Sequence, residues 1–398
     1  MKSIFEKIPK GPVDPILGTA VAFKNDQNDN KVNLGVGAYR DDFGNPHVFK
    51  AVKLVESEIY NNKEYAPIEG LVSILKTPTL KLLFGSSYSE DLLNKIVSVQ
   101  TISGTGALRV GADFCFSHLQ PTFAFISSPT WDTHRTIFTK AGISVCEYPY
   151  WNSLTKSLDI DGMVEAFETA PKGSLVVLHA CAHNPTGLDP TIPEWLKIID
   201  VIENHQLIPF VDCAYQGFAS GDLEEDGWLC RELLRRNLEF FVAQSFAKNL
   251  GMYGERIGML HVVLKSSEIA ENVISQLRLV IRPMYSSPPI HGARLVAGVL
   301  ERNFQVWQEE LKQVANRLKS VRVSLRNGLE EKVGGDWSHI TKQIGMFSFT
   351  GFTENQCDTL INQFHIYLLK NGRISLAGIN SSNLQYVLDS FANVIKNS

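Results

Sequence analysis

Seven short apolar runs recur along the middle of the chain, and each has the length of one β-strand. They are rich in β-branched and aromatic residues and read VSVQTI, TFAFIS, ISVCEY, LVVLHA, LIPFVD, FFVAQSF and GMLHVVL. Most segments between them are long enough for a helix, as at 192–205 and 228–237. The alternation predicts an α/β fold with a mostly parallel seven-stranded sheet flanked by helices, with ligands at the carboxyl ends of the strands.

Beyond the last run the apolar period lengthens. From Pro289 to about Lys332 apolar residues recur at spacings of three and four, which predicts a long helix. The later runs GMFSFTGF, HIYLL and RISLAGI alternate with helical stretches and predict a smaller α+β domain. We expect a large domain at 44–315 and a small domain formed by both chain ends, 1–43 and 316–398.

The composition is that of a large globular protein, because 44% of the 398 residues are hydrophobic and 20% are charged. The net charge is −4 and no block of like charge occurs, so neither nucleic acid nor an anionic membrane is expected as a partner. No run of about eighteen apolar residues predicts a membrane span. Six widely spaced cysteines without a CxxC pair favour a reducing compartment.

The motif SGTG at Ser103, Gly104 and Thr105 follows one strand run and precedes a helical pattern. Free N–H groups and the dipole of such a helix N-terminus can bind an anion, although the motif alone is more often an ordinary capped helix. Its glycine spacing, GxGxxxxG, departs from the dinucleotide fingerprint GxGxxG. A nicotinamide dehydrogenase is therefore disfavoured.

Polar residues also follow the later strand runs. Asn184 lies in HNPTG, Asp212 and Tyr215 lie in DCAY, and Lys248 ends SFAK shortly before Arg256. Taken singly, Asp212 could be a helix cap and Lys248 a solvated surface charge. Together, an anion-binding turn, an amide, a carboxylate, a phenol, a lysine and an arginine at successive strand ends match the requirements of pyridoxal phosphate.

A metal site is not expected near the first of these motifs. His179 and His183 are four residues apart, but a zinc pair would need a helix and an intervening Glu, and the sequence has neither.

The longer motifs carry a family resemblance. They are GVGAYRDD, YAPIEGL, SGTGALR, HNPTGLDP, DCAYQGFASGDLEEDG, SFAKNLGMYGERIG, IRPMYSSPP, GMFSFTGF and GRISLAGI, and they extend over nearly the whole chain. In order and spacing they resemble the aspartate aminotransferases of the class I pyridoxal-phosphate-dependent aminotransferase family, which has fold type I. The resemblance implies a reversible transfer of the amino group from L-aspartate to 2-oxoglutarate, giving oxaloacetate and L-glutamate.

The resemblance also implies roles around the cofactor ring. Lys248 would form the Schiff base with the aldehyde and move the proton of the substrate, while Asp212 would pair with the ring nitrogen. Asn184 and Tyr215 would hydrogen-bond the ring oxygen. Trp131 would stack on the ring, and His134 would support Asp212 from behind.

Further residues are implied for the phosphate and the substrate. The phosphate would be held by Ser103, Gly104, Thr105, Ser245 and Arg256, with Tyr65 reaching over from a second subunit. Arg373 would bind the α-carboxylate, and Arg282 of the second subunit would bind the distal one. The backbone of Gly37 would help seat the substrate. The active unit would then be a homodimer with shared active sites.

Three positions depart from the usual pattern of the family, namely Thr133, Cys213 and Ser287. None removes a catalytic group, but neighbours of Trp131 and Arg282 shape the substrate pocket. Two other functions therefore stay open: a broader aspartate and aromatic aminotransferase, and a non-catalytic binding protein on the same fold. We expect a cytoplasmic protein, with the mature form of a mitochondrial matrix enzyme as the alternative, because DPILGTAVAF resembles mitochondrial members.

Overall fold

The computed structural model describes residues 3–12, 14–59 and 62–397. The strands in this part of the chain are β1 (Val32–Asn33), β2 (Ile96–Ile102), β3 (Ala124–Ser128), β4 (Val145–Pro149), β5 (Trp151–Asn152), β6 (Ser157–Leu158), β7 (Leu175–His179), β8 (Ile208–Cys213), β9 (Phe240–Ser245), β10 (Ile257–Val263), β11 (Phe347–Phe349), β12 (Ile366–Tyr367) and β13 (Arg373–Ser375).

The helices are α1 (Pro15–Asn25), α2 (Lys50–Glu56), α3 (Val72–Phe84), α4 (Glu90–Lys95), α5 (Ser103–His118), α6 (Thr133–Lys140), α7 (Ile160–Glu168), α8 (Ile192–Asn204), α9 (Leu223–Asp226), α10 (Trp228–Arg235), α11 (Ala270–Met284), α12 (His291–Arg302), α13 (Phe304–Val333), α14 (Ser338–Lys342), α15 (Glu354–Phe364) and α16 (Leu384–Lys396). Short 3₁₀ turns lie at Gly85–Ser87, Ser267–Ile269 and Leu376–Gly378.

Seven strands form one sheet in the order β2-β10-β9-β8-β7-β3-β4. Neighbouring strands are parallel except that β10 runs antiparallel to both β2 and β9. Each of the seven apolar runs supplies one of these strands, so the prediction of a mostly parallel seven-stranded sheet is confirmed. The α/β fold class is confirmed with it.

Both faces of the sheet are covered, which explains why its strands are apolar throughout rather than alternating. In β7, Leu175 and Val177 belong to one hydrophobic cluster while Val176 and Leu178 belong to another. The first cluster includes residues of α5, α6 and α11, and the second includes residues of α7, α8 and α10. Every residue of β7, β9 and β10 is buried.

Short strands join the two ends of the chain. β1 pairs in parallel with β12, and β11 pairs antiparallel with β13. Next to the first pair, the Asp26 carboxylate accepts hydrogen bonds from His365 Nδ1 at 2.7 Å and from the Tyr367 hydroxyl at 2.8 Å. These contacts bring residues 26–33 against residues 365–367, while the division at 43/44 and 315/316 stays a prediction.

The long helix predicted from Pro289 is instead two helices, α12 and α13, that meet at Asn303. Asn303 leaves helical geometry with φ −123° and ψ 24°, and asparagine favours such helix boundaries because its side chain competes for backbone hydrogen bonds. Leu295 in α12 and Leu311 in α13 belong to the same hydrophobic cluster, so the apolar period continues across the break. Periodicity alone could not show the break.

Helix α13 contacts several parts of the molecule along its 30 residues. Near its start the Trp307 indole donates to Asn249 O at 2.7 Å. Farther along, Arg317 donates to Arg40 O and Ile379 O, and the buried Arg322 guanidinium donates to Ile340 O, Gly345 O and Phe347 O. Over the described ranges, every helix is too short or too polar to cross a membrane.

Candidate active site

A cavity of about 240 Å³ opens where the carboxyl ends of β2, β7, β8 and β9 meet. Because β10 is antiparallel to its neighbours, its beginning lies at this same edge, and the preceding Arg256 reaches the cavity. The cavity is lined by Ile16, Gly37, Ser103, Gly104, Thr105, Leu108, Trp131, His179, Asn184, Asp212, Ala214, Tyr215, Ser245, Ala247, Lys248, Tyr253, Arg256, Phe347 and Arg373.

Most site residues expected from the sequence lie together on this surface. They are Gly37, Ser103, Gly104, Thr105, Trp131, Asn184, Asp212, Tyr215, Ser245, Lys248, Arg256 and Arg373. His134 lies behind Asp212, outside the lining. Tyr65 and Arg282 do not line the cavity.

One end of the cavity is a cradle for an anion. Helix α5 begins at Ser103 and no side chain caps its first N–H groups. Ser103 Oγ lies 3.4 Å from Ser245 Oγ, and Ser103 N–H donates to Arg256 O at 3.1 Å. A side chain at Gly104 would place its Cβ 2.9 Å from Ser245 Cβ, so only glycine fits there without displacement. Uncapped N–H groups, two hydroxyls and the Arg256 guanidinium suit a phosphate.

The Asp212 carboxylate also lines the cavity, and a chain of hydrogen bonds supports it. Asp212 Oδ2 lies 2.9 Å from His134 Nε2, and His134 Nδ1 lies 2.8 Å from Thr130 Oγ1. Thr130 Oγ1 in turn lies 3.4 Å from His179 Nε2, and His179 Nδ1 accepts from Asn184 N–H at 3.3 Å. With both imidazoles neutral, a carboxylate at Asp212 requires the proton on Nε2 of each histidine.

Burial keeps His179, at the far end of these hydrogen bonds, uncharged. It lowers the pKa of His179 well below the usual range, and the neighbouring His183 and His134 act in the same direction. The chain of hydrogen bonds that starts at Asp212 therefore reaches a neutral imidazole at His179.

Lys248 also lines the cavity. Its Nζ donates to Gly37 O at 2.5 Å and lies 5.0 Å from the centre of the Tyr253 ring. Burial, followed by the positive charges of Arg373 and Arg256, lowers the pKa of Lys248 to about 8. When the pH equals the pKa, half of the molecules carry a neutral amine. Lys248 can therefore act as nucleophile or base near neutral pH.

Arg373 is the most deeply buried charge of the site, with 2% of its surface exposed. Its Nη2 donates to Gly35 O at 2.6 Å and its Nη1 donates to Asn184 Oδ1 at 3.2 Å. Its Nε is buried and has no hydrogen-bond partner among the described residues, and none of their carboxylates lies within ion-pair distance. Burial lowers the pKa of Arg373 to about 10. A buried guanidinium with an unpaired N–H calls for an anionic ligand.

Aromatic rings support this cation and the rest of the site. The Phe347 ring lies beneath the Arg373 guanidinium at 4.2 Å, and Tyr215 packs edge-on against Phe347 at 5.8 Å. Burial raises the pKa of Tyr215, so its hydroxyl stays protonated and can donate. Trp131 lines the cavity and packs edge-on against His134 at 5.3 Å.

The cavity also contains residues that were not assigned from the sequence: Ile16, Leu108, His179, Ala214, Ala247, Tyr253 and Phe347. Tyr253 and Phe347 lie within the motifs GMYGER and GMFSF, so the motifs marked the region without indicating the role. The Tyr253 hydroxyl accepts from Tyr39 N–H at 2.8 Å and so holds the segment that carries Gly37. His179 was considered only as half of a metal pair.

Two predicted residues are exposed at the surface of the chain. Tyr65 is 88% exposed, and Arg282 is exposed with its Nη1 donating to Ser286 Oγ at 2.7 Å. Neither can act in the cavity of its own chain in this arrangement.

The residues present fit pyridoxal phosphate. The α5 cradle suits its phosphate, Asp212 suits a protonated ring nitrogen, and Lys248 suits its aldehyde. Three cations and one carboxylate line the cavity, so its charge also suits anionic substrates. In ranges 3–12, 14–59 and 62–397 no cluster of His, Cys, Asp or Glu is arranged to hold a metal ion.

Known proteins resemble this chain over nearly its whole length. A family model described as aminotransferase class I and II matches residues 29–391. A chloroplastic aspartate aminotransferase from Arabidopsis thaliana is 47% identical over 403 residues, covering 98% of this chain and 89% of that protein. The aspartate aminotransferase from Saccharomyces cerevisiae cytoplasm has a TM-score of 0.95 at 40% identity and 99% coverage of both chains. An aromatic-amino-acid aminotransferase from Burkholderia pseudomallei, covalently bound to pyridoxal phosphate, has a TM-score of 0.95 at 38% identity, covering 99% of this chain and 100% of that one.

Proposed function

Since the chain belongs to the class I and II aminotransferase family, we propose that it acts as an aspartate aminotransferase. It transfers the amino group of L-aspartate reversibly to 2-oxoglutarate and forms oxaloacetate and L-glutamate. The cofactor is pyridoxal phosphate. Because one product leaves before the second substrate binds, the kinetics are ping-pong.

When bound, pyridoxal phosphate supplies an aldehyde that condenses with amines and a ring that accepts the electrons of the broken Cα–H bond. Lys248 acts as the base that takes the proton from the substrate Cα. Its pKa of about 8 supports this role, because a lysine at its ordinary pKa would be almost fully protonated near neutral pH.

The other cavity residues hold and polarise the cofactor. Asp212, whose Oδ2 lies 2.9 Å from His134 Nε2, would hold the proton on the ring nitrogen. Asn184 and Tyr215 would donate to the ring oxygen, and Trp131 would pack on the ring. The phosphate would be held by Ser103, Gly104, Thr105, Ser245 and Arg256.

The observation that carries the proposal is the state of Arg373. Its buried guanidinium has an unpaired Nε and lines the same cavity as Lys248, so it can form a bidentate pair with an α-carboxylate while the substrate amine faces Lys248. Gly37 O accepts a hydrogen bond from Lys248 Nζ, so the Gly37 backbone lies in the cavity where it would help to seat the substrate. The arrangement selects α-amino acids and excludes amines that lack a carboxylate.

The distal carboxylate of aspartate needs a second cation, which the cavity of a single chain does not offer beyond Lys248, Arg256 and Arg373. We propose that Arg282 supplies it from a second copy, and that Tyr65 of the same copy reaches the phosphate. The exposure of both side chains supports a homodimer with shared active sites. On this view the small domain, 1–43 and 316–398, carries Gly37 and Arg373, and the large domain, 44–315, carries the cofactor.

The second candidate function is a broader aspartate and aromatic aminotransferase. It is favoured by the similarity to the Burkholderia pseudomallei aromatic-amino-acid aminotransferase and by the freedom of Arg282, whose guanidinium contacts Ser286 on an exposed surface. An aromatic side chain could enter if Arg282 turned aside.

The test is to measure kcat/KM of the purified holoenzyme for L-aspartate and for L-phenylalanine, each with 2-oxoglutarate. We expect aspartate to be the better substrate by at least about tenfold, equivalent to about 1.4 kcal/mol. A kcat/KM for phenylalanine equal to or above that for aspartate would favour the second candidate. Lys248→Ala should abolish both activities and the visible absorbance of the lysine-bound cofactor, and unchanged turnover would refute the mechanism.

The dimer has its own test. A hybrid of one Lys248→Ala subunit and one Arg282→Ala subunit should contain one complete site, formed by Lys248 of the second subunit and Arg282 of the first. Activity well above that of either parent homodimer supports sharing, whereas no gain on mixing contradicts it. For the compartment we propose the cytoplasm, with the mitochondrial matrix as the alternative, and imaging of the full-length native product decides between them.

A further inference from the structure

One buried side chain outside the cavity contacts both segments that were assigned to the second subunit's site. Gln100 lies in β2, at the edge of the sheet, with none of its surface exposed. Its backbone N–H donates to Glu69 O at 2.8 Å, and its side-chain oxygen accepts from Leu71 N–H at 3.0 Å. Both bonds hold the end of the segment 65–71, which begins with the exposed Tyr65.

The other two polar groups of Gln100 hold the segment 282–289, which begins with Arg282. The side-chain amide donates to Pro289 O at 2.7 Å, and the backbone carbonyl accepts from the Tyr285 hydroxyl at 3.3 Å. Each of its four hydrogen-bonding groups is thus directed to one of these two segments. We define the Gln100 brace as Gln100 with Glu69, Leu71, Tyr285 and Pro289.

Steric fit and charge reinforce the brace. Gly70 has φ +86°, and an added Cβ would lie 2.3 Å from Gln100 Cβ and 3.0 Å from Pro288 Cγ, so the two segments close tightly on this side chain. Arg278, one turn before Arg282 on α11, forms a bidentate ion pair with Glu69 at 2.8 and 3.1 Å. The segment 65–71 is therefore also held to α11, the helix that carries Arg282.

Gln100 does not line the cavity of its own chain. The exposed Tyr65 and Arg282, which begin the two segments that it contacts, do not line that cavity either. We propose that Gln100 is a positioning residue for the active site of the second copy: it sets the register of Tyr65 and Arg282 and so controls binding of the distal carboxylate there. This inference rests on the homodimer proposed above.

A role in its own subunit is the alternative, because β2 leads from Gln100 to Ser103 at the phosphate cradle. Hybrid dimers separate the two roles. Differently tagged subunits are co-expressed, and the hybrid is isolated by two successive affinity steps. One subunit always carries Lys248→Ala, so that a single working site remains, and the hybrid with an otherwise wild-type partner is the reference.

In the first hybrid, Gln100→Met is placed in the Lys248→Ala subunit, which lends its Tyr65 and Arg282 to the working site. We expect kcat/KM for aspartate to fall by about 10- to 100-fold, because small displacements of a clamping group have effects of that size. In the second hybrid, Gln100→Met is placed in the subunit that carries the working Lys248. There we expect kcat/KM within about twofold of the reference.

The reverse pattern, an equal loss in both hybrids, or no loss in either overturns the inference. A control hybrid with Arg282→Ala in the Lys248→Ala subunit tests the shared site itself. Full activity of that control contradicts the proposed shared site instead, so the two failures are distinguishable. The loss should also depend on the substrate: KM should rise for aspartate and much less for alanine, which has no distal carboxylate. A general structural defect would affect both amino acids alike.

A milder variant tests the same inference if Gln100→Met fails to fold. Tyr285→Phe keeps the ring and removes one hydrogen bond to the brace, a contribution equivalent to about a 2- to 10-fold effect. We expect KM for aspartate to rise within that range when Tyr285→Phe is in the lending subunit. An unchanged KM there, or an equal rise when it is in the subunit with the working site, contradicts the inference.

Discussion

Replacing Arg373 gives the most direct test of how the site binds its substrate. The Arg373 side chain is buried, with 2% of the residue's surface exposed. Two of its N–H groups donate to Gly35 O and Asn184 Oδ1, and its Nε has no hydrogen-bond partner in the described part of the chain. A bound α-carboxylate would gain two charge-assisted hydrogen bonds, each worth about 1.5–3 kcal/mol. Together they amount to about 3–6 kcal/mol.

Two substitutions of Arg373 should reduce substrate binding to different extents. Arg373→Met removes both hydrogen bonds, and at about 1.4 kcal/mol for each factor of ten it should lower kcat/KM for aspartate by about 10²- to 10⁴-fold. Arg373→Lys keeps a charge but loses the planar fork, so one hydrogen bond remains and the loss should be about 10- to 100-fold. Losing the positive charge in Arg373→Met should also raise the pKa of Lys248, because Arg373 is one cause of its lowering.

The assay is steady-state transamination of L-aspartate with 2-oxoglutarate, with cofactor affinity followed separately by visible absorbance. Arg135→Met serves as the control, because Arg135 is half exposed and pairs with Glu147 away from the cavity. A loss below tenfold for Arg373→Met, or an equal loss for the control, would refute the assignment of Arg373 to the α-carboxylate. A parallel collapse of cofactor affinity would point to a different role for this side chain.

Three further predictions follow from other parts of the structure. Gly104→Ala should weaken cofactor binding by at least about tenfold in an absorbance titration, because the added Cβ would lie 2.9 Å from Ser245 Cβ at the phosphate cradle; unchanged affinity would contradict the cradle. Arg322→Met should lower the free energy of unfolding by about 2–4 kcal/mol in urea titrations, because it leaves three buried carbonyls without their donor, and an equally stable variant would contradict this. Hydrogen bonds from Asn28 N–H and the Tyr367 hydroxyl lower the pKa of Asp26 to about 2, so the stability it contributes is complete above about pH 4 and is lost as pH falls toward 2. The stability difference between wild type and Asp26→Asn should therefore shrink over that range, and a constant difference would count against the pKa shift.

The sequence predicted the sheet because its strands are local apolar runs bounded by turns. It could not predict the antiparallel direction of β10, because strand pairing depends on residues far apart in the chain. The antiparallel direction of β10 places Arg256 at the cavity. The sequence indicated Arg256 as a phosphate ligand only through the family resemblance of its motif.

Site residues were predictable where a long motif carried them, as with Asp212 and Lys248. Tyr253 and Phe347 were not predicted because their roles depend on tertiary contacts: one accepts from Tyr39 N–H and the other supports Arg373. His179 was discounted as a metal ligand, yet it lies in the hydrogen-bond chain that ends at Asp212. A polar residue at a strand end can serve the site indirectly, and spacing does not reveal this.

The continuity of α13 limits how this chain can vary in length. At 1.5 Å per residue its 30 residues extend about 45 Å, and Trp307, Arg317 and Arg322 contact different parts of the fold from fixed faces. One inserted or deleted residue within the helix would turn everything beyond it by about 100° and withdraw Arg322 from its carbonyls. Length changes among relatives should therefore be absent between 307 and 322 and be tolerated instead at the turn 334–337, where Gly334 and Gly335 adopt positive φ.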